Sequence, residues 1–426
     1  MIGSLRARSG LQPLAAVCWL LSLGACSAGE SKVRVQADAD KRSESTQIVS
    51  AQAAGNSTAN AESQQPAQTG QTRAPAPKAL SSVRVETVAS GLKSPWAVEA
   101  LPDGRFVVTE KEGNLRVVTK GGKVLPKIAG VPAVDFSGQG GLLDVAISKA
   151  DTDFYLCLSY AQARQNGKNR TAAGCGIARG TENLTLSSFN VVFEQQPAWD
   201  STYHFGSRVV FAPDDTMYIT TGERSLPETR GFSQDTSKTL GKVVRLKRDG
   251  STPPGNPFAD KGESAAQVWS YGHRNIQAAA LDASARLWTI EHGPRGGDEL
   301  NLVRPGVNYG WPVISYGEEY SGSPIGAGIT QQPGLEQPIY YWDPVIAPSG
   351  MIVYTGKLNA AWKGDVFVGG LVAQALVHLH LQNDRVVSEE RFPIGARVRD
   401  VTEGPDGAIY IVTEEADGRL LRVRPN

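Results

Sequence analysis

The sequence predicts an all-β protein, a six-bladed β-propeller that follows a signal peptide and a disordered tether. Three observations predict it. From about Leu80 onward, short apolar runs alternate with Gly, Pro, Asp and Asn, and no long stretch carries the 3.6-residue apolar period of an amphipathic helix. Four strand-like segments, Arg105–Thr109, Met217–Thr221, Arg286–Ile290 and Ala408–Thr413, each follow a similar turn: Pro102-Asp103-Gly104, Pro213-Asp214-Asp215, Asp282-Ala283-Ser284 and Pro405-Asp406-Gly407. Each then runs into a polar end, at Thr109-Glu110, Gly222-Glu223, Glu291-His292 and Thr413-Glu414. A recurring unit of turn, strand and polar end is the mark of a radial or solenoid repeat. At roughly 45 to 60 residues per four-stranded blade, residues 80–426 make about six blades. An array of β-sandwiches would also supply short strands, but it gives no reason for polar groups at the same strand end in every repeat. A propeller does, because one end of its central strands faces the channel mouth, where Glu223, Glu291 and His292 would converge.

Residues 1–25 read as a lipoprotein signal peptide. Arg6 and Arg8 form a positive start, Leu14–Leu21 is an apolar run too short to span a bilayer, and Leu23-Gly24-Ala25-Cys26 resembles a bacterial lipobox. That resemblance implies cleavage before Cys26, acylation of its thiol and a lipid anchor. Ser27 follows, where an aspartate would favour the inner membrane, so the expected location is the periplasmic side of the outer membrane. Cleavage near Ala25 or Ala28 to give an ordinary secreted chain is the alternative, and both put the mature protein outside the cytoplasm. Residues 26–79 are rich in Ala, Gln, Ser, Thr and Pro with no aromatic residue, a composition expected to remain a disordered linker.

The remaining cysteines, Cys157 and Cys175, sit on apolar segments flanking a polar loop. In an oxidising compartment they make either a hairpin disulfide or two buried thiols. The net charge of zero gives no basis for a nucleic-acid partner.

Polar residues concentrate in four places. Glu291–Glu299, with Tyr309-Gly310-Trp311-Pro312 ten residues on, is a Gly- and Pro-rich loop with carboxylates, suited to a hard cation such as Ca²⁺. Tyr203–Arg208 precedes the repeat strand that ends at Glu223. Tyr271–Gln277 is a turn-like polar run. Arg397-Val398-Arg399-Asp400 puts two guanidiniums on one face of an extended segment, which favours a polycarboxylate or phosphate ligand. Taken singly, each also fits a solvated loop or an ion pair between blades. His378 and His380 alternate on a strand and read as a solvated face, while Trp311 and Trp342 read either as sugar-stacking or as buried structural aromatics.

Taken together, six runs resemble the soluble sugar dehydrogenases that use pyrroloquinoline quinone (PQQ), especially the aldose sugar dehydrogenase branch. The runs are Gln139–Leu143, His204–Arg208 through Glu223, Gly272–Asn275, Glu291–Glu299 with Asn308–Pro312, Ala347–Gly350 and Arg397–Asp400. The resemblance spans Val83 to Pro425 and implies oxidation of an aldose at C1 to the aldonolactone, with a separate electron acceptor reoxidising the quinone. It implies that His204 is the general base, that Glu223 orients it, and that Arg274 sits against the quinone. The relatives' glucose-oxidising branch has aspartate at the place of Glu223. Asn275, His292, Arg397 and Arg399 fall at cofactor contacts and Gln139 near the substrate. The Gly293 and Pro294 carbonyls fall at the cofactor's Ca²⁺, and Glu299, Tyr309 and Glu319 at a second, structural Ca²⁺. One departure stands out: the loop Gly369–Gln374 has no lysine where many relatives place one on the cofactor. A propeller lactonase using Ca²⁺, or a binding propeller without catalysis, are the competing expectations. The arginine pair argues against a small neutral lactone as ligand, and the missing lysine argues mildly for the second.

Overall fold

The computed structural model describes residues 46–54, 74–150 and 153–426. Within them, six antiparallel sheets stand around a common axis. The innermost strands are Pro95–Ala100, Leu142–Ala150, Val209–Phe211, Ile276–Leu281, Pro348–Val353 and Val398–Glu403. Each touches the next, and the sixth touches the first, so the ring closes. Apolar residues from both faces of the blades fill the spaces between neighbours, among them Trp96, Leu143 and Leu158 between the first and second blades. The expected six-bladed propeller is therefore the fold.

Three of the four repeat segments found in the sequence begin the second strand of their blade, and the fourth, Met217–Thr221, lies along it; the four strands are Phe106–Glu110, Thr216–Thr220, Leu287–Glu291 and Ile409–Thr413. The Pro-Asp-Gly turns join the inner strand to this second strand. Antiparallel pairing then sets the start of each inner strand beside the end of the second, as in Pro95 opposite Glu110, Ile276 opposite Glu291 and Val398 opposite Thr413. All the polar strand ends thus reach one rim.

The sixth blade is closed by segments far apart in the sequence. Its outer strand, Ser82–Leu92, pairs with the C-terminal strand Gly418–Pro425. Arg208 ties the blades across the axis. Its guanidinium lies 2.8 Å from Asp144 of the second blade and 2.8 Å from Asp400 of the sixth, and its Nε donates to the Gln277 carbonyl of the fourth at 2.7 Å. The guanidinium also stacks 4.6 Å from the ring of Trp96. Glu99, close to Asp144 and Asp400, is pushed up to about 8 by burial and by those two charges, so it is protonated at neutral pH.

Two expectations need correction here. Part of the segment expected to be a disordered linker is structured: Thr46–Ser50 pairs with Ser82–Leu92, and Gln52–Ala53 pairs with Arg385–Pro393. This strap joins the outer edges of the sixth and fifth blades, and Ala51 is buried between them. Its order comes from backbone hydrogen bonds to exposed sheet edges, which composition does not report. Pro75 of the same expected linker also accepts a hydrogen bond, from the Glu389 amide at 3.0 Å. The signal peptide, Cys26 and the rest of the linker up to Arg73 lie outside the described residues.

The second correction concerns His378 and His380, which are not a solvated face. His378 is fully buried, stacked 4.1 Å from Phe367, with its ring nitrogens 2.9 Å from Asp365 and 2.9 Å from Glu390. His380 approaches Asp365 at 2.8 Å and Glu390 at 3.7 Å, and these two carboxylates push it up to about 9. Of the two alternatives for the cysteines, the disulfide holds: Cys157 and Cys175 lie directly opposite each other on Asp153–Ala161 and Thr171–Arg179 and are bonded.

Candidate active site at the channel rim

The rim is organised by a tight turn ahead of the third blade's inner strand. His204, Gly206 and Ser207 all have positive φ, at 47°, 65° and 98°. A side chain at Gly206 would come within 2.6 Å of the Thr221 backbone, and one at Gly222 within 2.2 Å of the His204 carbonyl. The two glycines therefore permit a close approach that sets His204 beside Glu223. His204 Nδ1 lies 2.7 Å from Glu223 Oε1, and the other carboxylate oxygen accepts from the Ser225 amide at 2.9 Å. Glu223 thus holds the proton on Nδ1 and leaves the lone pair on Nε2. The His204 amide donates to Gln139 Oε1 at 2.8 Å, and Asn275 Oδ1 receives the Gly206 amide at 3.1 Å. Burial, with Arg274 next in weight, lowers His204 to about 4 despite Glu223. The imidazole is neutral at pH 7.

Arg274 is buried and donates from Nη1 to the carbonyls of His292 at 3.1 Å and Gly293 at 2.7 Å. Its guanidinium stands 5.2 Å from the Trp311 ring. His292 donates from Nε2 to the Pro348 carbonyl at 2.6 Å, and burial pushes it down to about 3, so it too is neutral.

A cavity of about 160 Å³ opens at the mouth of the channel and brings together Gln139, His292, Arg397 and Arg399 with Phe205 and Gly206. Arg399 is buried, stacked 4.5 Å from Trp96, and donates to Gln277 Oε1 at 3.2 Å. Arg397 is exposed and paired with Glu414 at 2.9 Å. The Nε atoms of Arg274 and Arg399 and the Nδ2 of Asn275 are buried donors with no protein partner. Unmet buried donors on two guanidiniums and an amide fit an anionic ligand with several acceptor oxygens. His292 also lines an adjoining groove of about 990 Å³ that runs over Gly293, Pro294, Tyr320 and Val372.

The cation side of the expectation divides. Glu299, Tyr309, Gly293, Pro294 and Arg274 surround a space of about 10 Å³, together with Glu291 and Gly272. Glu299 and Glu291 lie directly opposite on neighbouring strands, and burial together with Glu291 raises the Glu299 carboxyl well above the usual range. Glu291 is already held, Oε1 by the His273 ring at 2.8 Å and Oε2 by the Arg274 amide at 2.6 Å, so Glu299 is the carboxylate left to face a hard cation in this small space. The Tyr309 hydroxyl is committed, accepting from the Arg304 amide at 2.9 Å and donating to the Leu302 carbonyl at 2.8 Å, so only its backbone remains for a metal. The Gly293 carbonyl already holds Arg274, which leaves its second lone pair. Glu319 is not part of this group: both of its carboxylate oxygens pair with Arg230, and its assignment as a metal ligand is corrected on that ground. Trp342 is structural, buried with its indole nitrogen donating to Glu389 at 3.1 Å, whereas Trp311 faces the site.

Sequence reasoning missed Lys111. It lines the 160 Å³ cavity beside Arg399, opposite Leu371 and Val372 of the loop that lacks a lysine. Its ammonium donates to the Gly138 carbonyl at 3.1 Å, and burial, then Arg399, lowers its pKa. The signal was present, since Lys111 follows Glu110, the polar end of the first repeat strand. Glu414, the polar end of the last one, reaches the same cavity.

Fold and site together define a propeller whose rim carries an oriented, neutral imidazole next to an arginine-lined pocket. The family model described as Glucose / Sorbosone dehydrogenase matches residues 92–422, and the chain belongs to that family. It is 38% identical over 357 residues to Aldose sugar dehydrogenase YliI of Escherichia coli (strain K12), covering 82% of this chain and 94% of that one. The crystal structure of the soluble aldose sugar dehydrogenase from Escherichia coli in the apo-form superposes with a TM-score of 0.75 at 37% identity, covering 81% of this chain and 100% of that chain. The PQQ-bound form of aldose sugar dehydrogenase from Streptomyces coelicolor superposes at 0.64 with 31% identity, covering 82% and 100%. No helix among the described residues is long and apolar enough to cross a membrane.

Proposed function

We propose that the protein oxidises aldose sugars at C1 to aldonolactones, using PQQ held with Ca²⁺ and passing electrons to a separate acceptor. The observation that carries this reading is the neutral His204, its Nε2 lone pair fixed by Glu223, next to buried arginine donors without protein partners. The bound quinone would supply the two-electron acceptor for the C1 hydride. Arg399, Arg397 and Lys111 would bind its carboxylates, and Arg274 and Asn275 would hold its quinone edge. His204 Nε2 takes the proton of the C1 hydroxyl, and Glu223 stabilises the imidazolium that results. Gln139, bonded to the His204 amide, keeps that ring in register with the cavity. The Glu291–Glu299 space would hold one Ca²⁺, and the Gly293 and Pro294 carbonyls would face another.

Anchoring of the mature chain through a lipid on Cys26 belongs to the same proposal and stands apart from the chemistry. Cys26→Ser would release the protein from the membrane with its dehydrogenase activity intact.

The deciding experiment is reconstitution of chelator-treated protein. Sugar oxidation should return only with PQQ and Ca²⁺ together, and an NAD-dependent activity that survives chelation would reject the proposal. Release of acid from a lactone without any electron acceptor would favour the lactonase reading.

A further inference from the structure

Far from the rim, the fifth blade carries a second convergence of ionisable side chains that the sugar chemistry leaves unused. Strands Val366–Gly370, Ala375–Gln382 and Arg385–Pro393 run side by side, with Phe367 opposite His378 and His378 opposite Glu390. That register places Asp365, His378, His380 and Glu390 on one face of the sheet. His380 lies five residues from the rim end of its strand, roughly 16 Å at the usual strand rise.

The contacts there have a particular form. Asp365 Oδ2 lies 2.9 Å from His378 Nε2 and 2.8 Å from His380 Nδ1, so one carboxylate oxygen and two imidazole nitrogens face a common point. Behind His378, the opposite ring nitrogen meets Glu390 Oε1 at 2.9 Å. His380 Nε2 is 3.7 Å from the same oxygen. The remaining carboxylate oxygens are held by amides, Asp365 Oδ1 by Leu381 at 3.1 Å and Glu390 Oε2 by Ser81 at 2.8 Å. The face of Phe367 fixes the His378 ring. Among the described residues no lysine or arginine pairs with either carboxylate, so their charge is offset by protons on the imidazoles or by a cation.

We infer that Asp365, His378 and His380 form a site for one divalent transition-metal ion of the zinc class, with Glu390 orienting His378 from behind. Two imidazoles and one carboxylate are donors that a borderline ion takes and that Ca²⁺ does not prefer. A carboxylate on the far nitrogen of a ligating histidine is the usual way such a ring is fixed. Bond lengths of about 2.0 to 2.2 Å would need Asp365 Oδ2 to part from each nitrogen by less than about 1 Å. His380 is partly exposed and gives the ion a way in from solvent, from which water would supply the fourth ligand. Glu390 also holds Ser81, and its strand receives the strap at Gln52–Ala53, so the ion would stiffen the seam between the fifth and sixth blades. This site is independent of the proposed sugar oxidation and would persist if that proposal failed.

The test uses the full chain, chelator-treated and then saturated with Ca²⁺ so that hard-cation sites are filled. Titration with Zn²⁺ followed by calorimetry should give one equivalent bound at micromolar concentration and a rise in Tm. Co²⁺ should give the intense visible absorption of a tetrahedral site. His380→Ala should abolish the binding, Glu390→Gln should weaken it by about tenfold, and His204→Ala should leave it unchanged. No stoichiometric binding, or binding lost in His204→Ala and kept in His380→Ala, overturns the inference. If His380→Ala does not fold, the Co²⁺ spectrum of the parent chain decides: its absence, or an octahedral spectrum, counts against the site.

Discussion

The rim of the channel and the outer half of the fifth blade use the same side chains in opposite company. At the rim, His204 has one carboxylate, Glu223, with Arg274 and Arg224 close by, and it is lowered to about 4. In the fifth blade, His380 has two carboxylates and, among the described residues, no guanidinium partner, and it is raised to about 9. The first setting has surplus positive charge and unmet donors, which call for an anion. The second has surplus acceptors, which call for protons or a metal. Neighbours brought in from other strands and blades set the sign of the ligand, while the histidine itself is common to both.

The largest effect expected from this contrast is on turnover. In folded, quinone-loaded protein, His204→Ala should lower kcat by about 10² to 10⁴, the usual worth of a positioned base, with quinone affinity nearly unchanged. Near-parental turnover in that variant would remove His204 from the chemistry and leave the rim as a binding pocket only. Arg399→Ala should show the reverse pattern: affinity for the quinone falls by about 10² or more, as for a buried charge partner, and activity partly recovers at high quinone. Lys111→Ala should fall in the same direction by only about tenfold, since this side chain is more exposed and its attraction is screened. Quinone titration of each variant, alongside thermal melting, separates these outcomes from simple loss of folding. An equal loss in both variants would mean that Lys111 fully replaces the lysine missing from Gly369–Gln374.

The smallest effect is on pH dependence. His204 and His292 are both depressed in the folded protein, to about 4 and about 3. The unfolded chain therefore binds more protons at these two sites between those values and the ordinary 6.5, so the stability that these two imidazoles contribute is complete above pH 6.5 and is lost as the pH falls towards about 3. NMR of the His204 ring in the cofactor-free protein should give a midpoint near about 4. The acid limb of kcat/KM in the loaded enzyme should lie between that value and 6.5, because an anion offsets Arg274. A His204 midpoint above 6.5 would erase the difference between the two regions.

Much of the rim was legible in the sequence because its residues cluster in short runs with turn glycines, and because the polar ends recur at the ends of repeat strands. His204 with Glu223, and Arg399 with Gln139, could be paired by the resemblance although they come from different blades. Lys111 was passed over because one lysine after a strand looks like any solvated charge until Arg399 is found beside it. Glu319 was misassigned for the converse reason: its partner Arg230 lies 89 residues away, and sequence does not show that its oxygens are taken. The histidines of His378-Leu379-His380 alternate as a half-exposed strand should, yet the strand is covered, and the acids that meet them come from flanking strands. The strap at Thr46–Ser50 was invisible to composition because a sheet edge recruits a strand through its backbone.

The closing of the sixth blade by Ser82–Leu92 against Gly418–Pro425 has a consequence for how the protein is made. Contacts such as that between Glu86 and Arg424 join residues 338 apart in the chain, and forming them carries a large loop-closure cost. Five blades can assemble from neighbouring segments, but the ring stays open until Gly418–Pro425 meets Ser82–Leu92. Were the chain threaded across a membrane from its N-terminus, it would stay unlatched until Gly418–Pro425 had emerged.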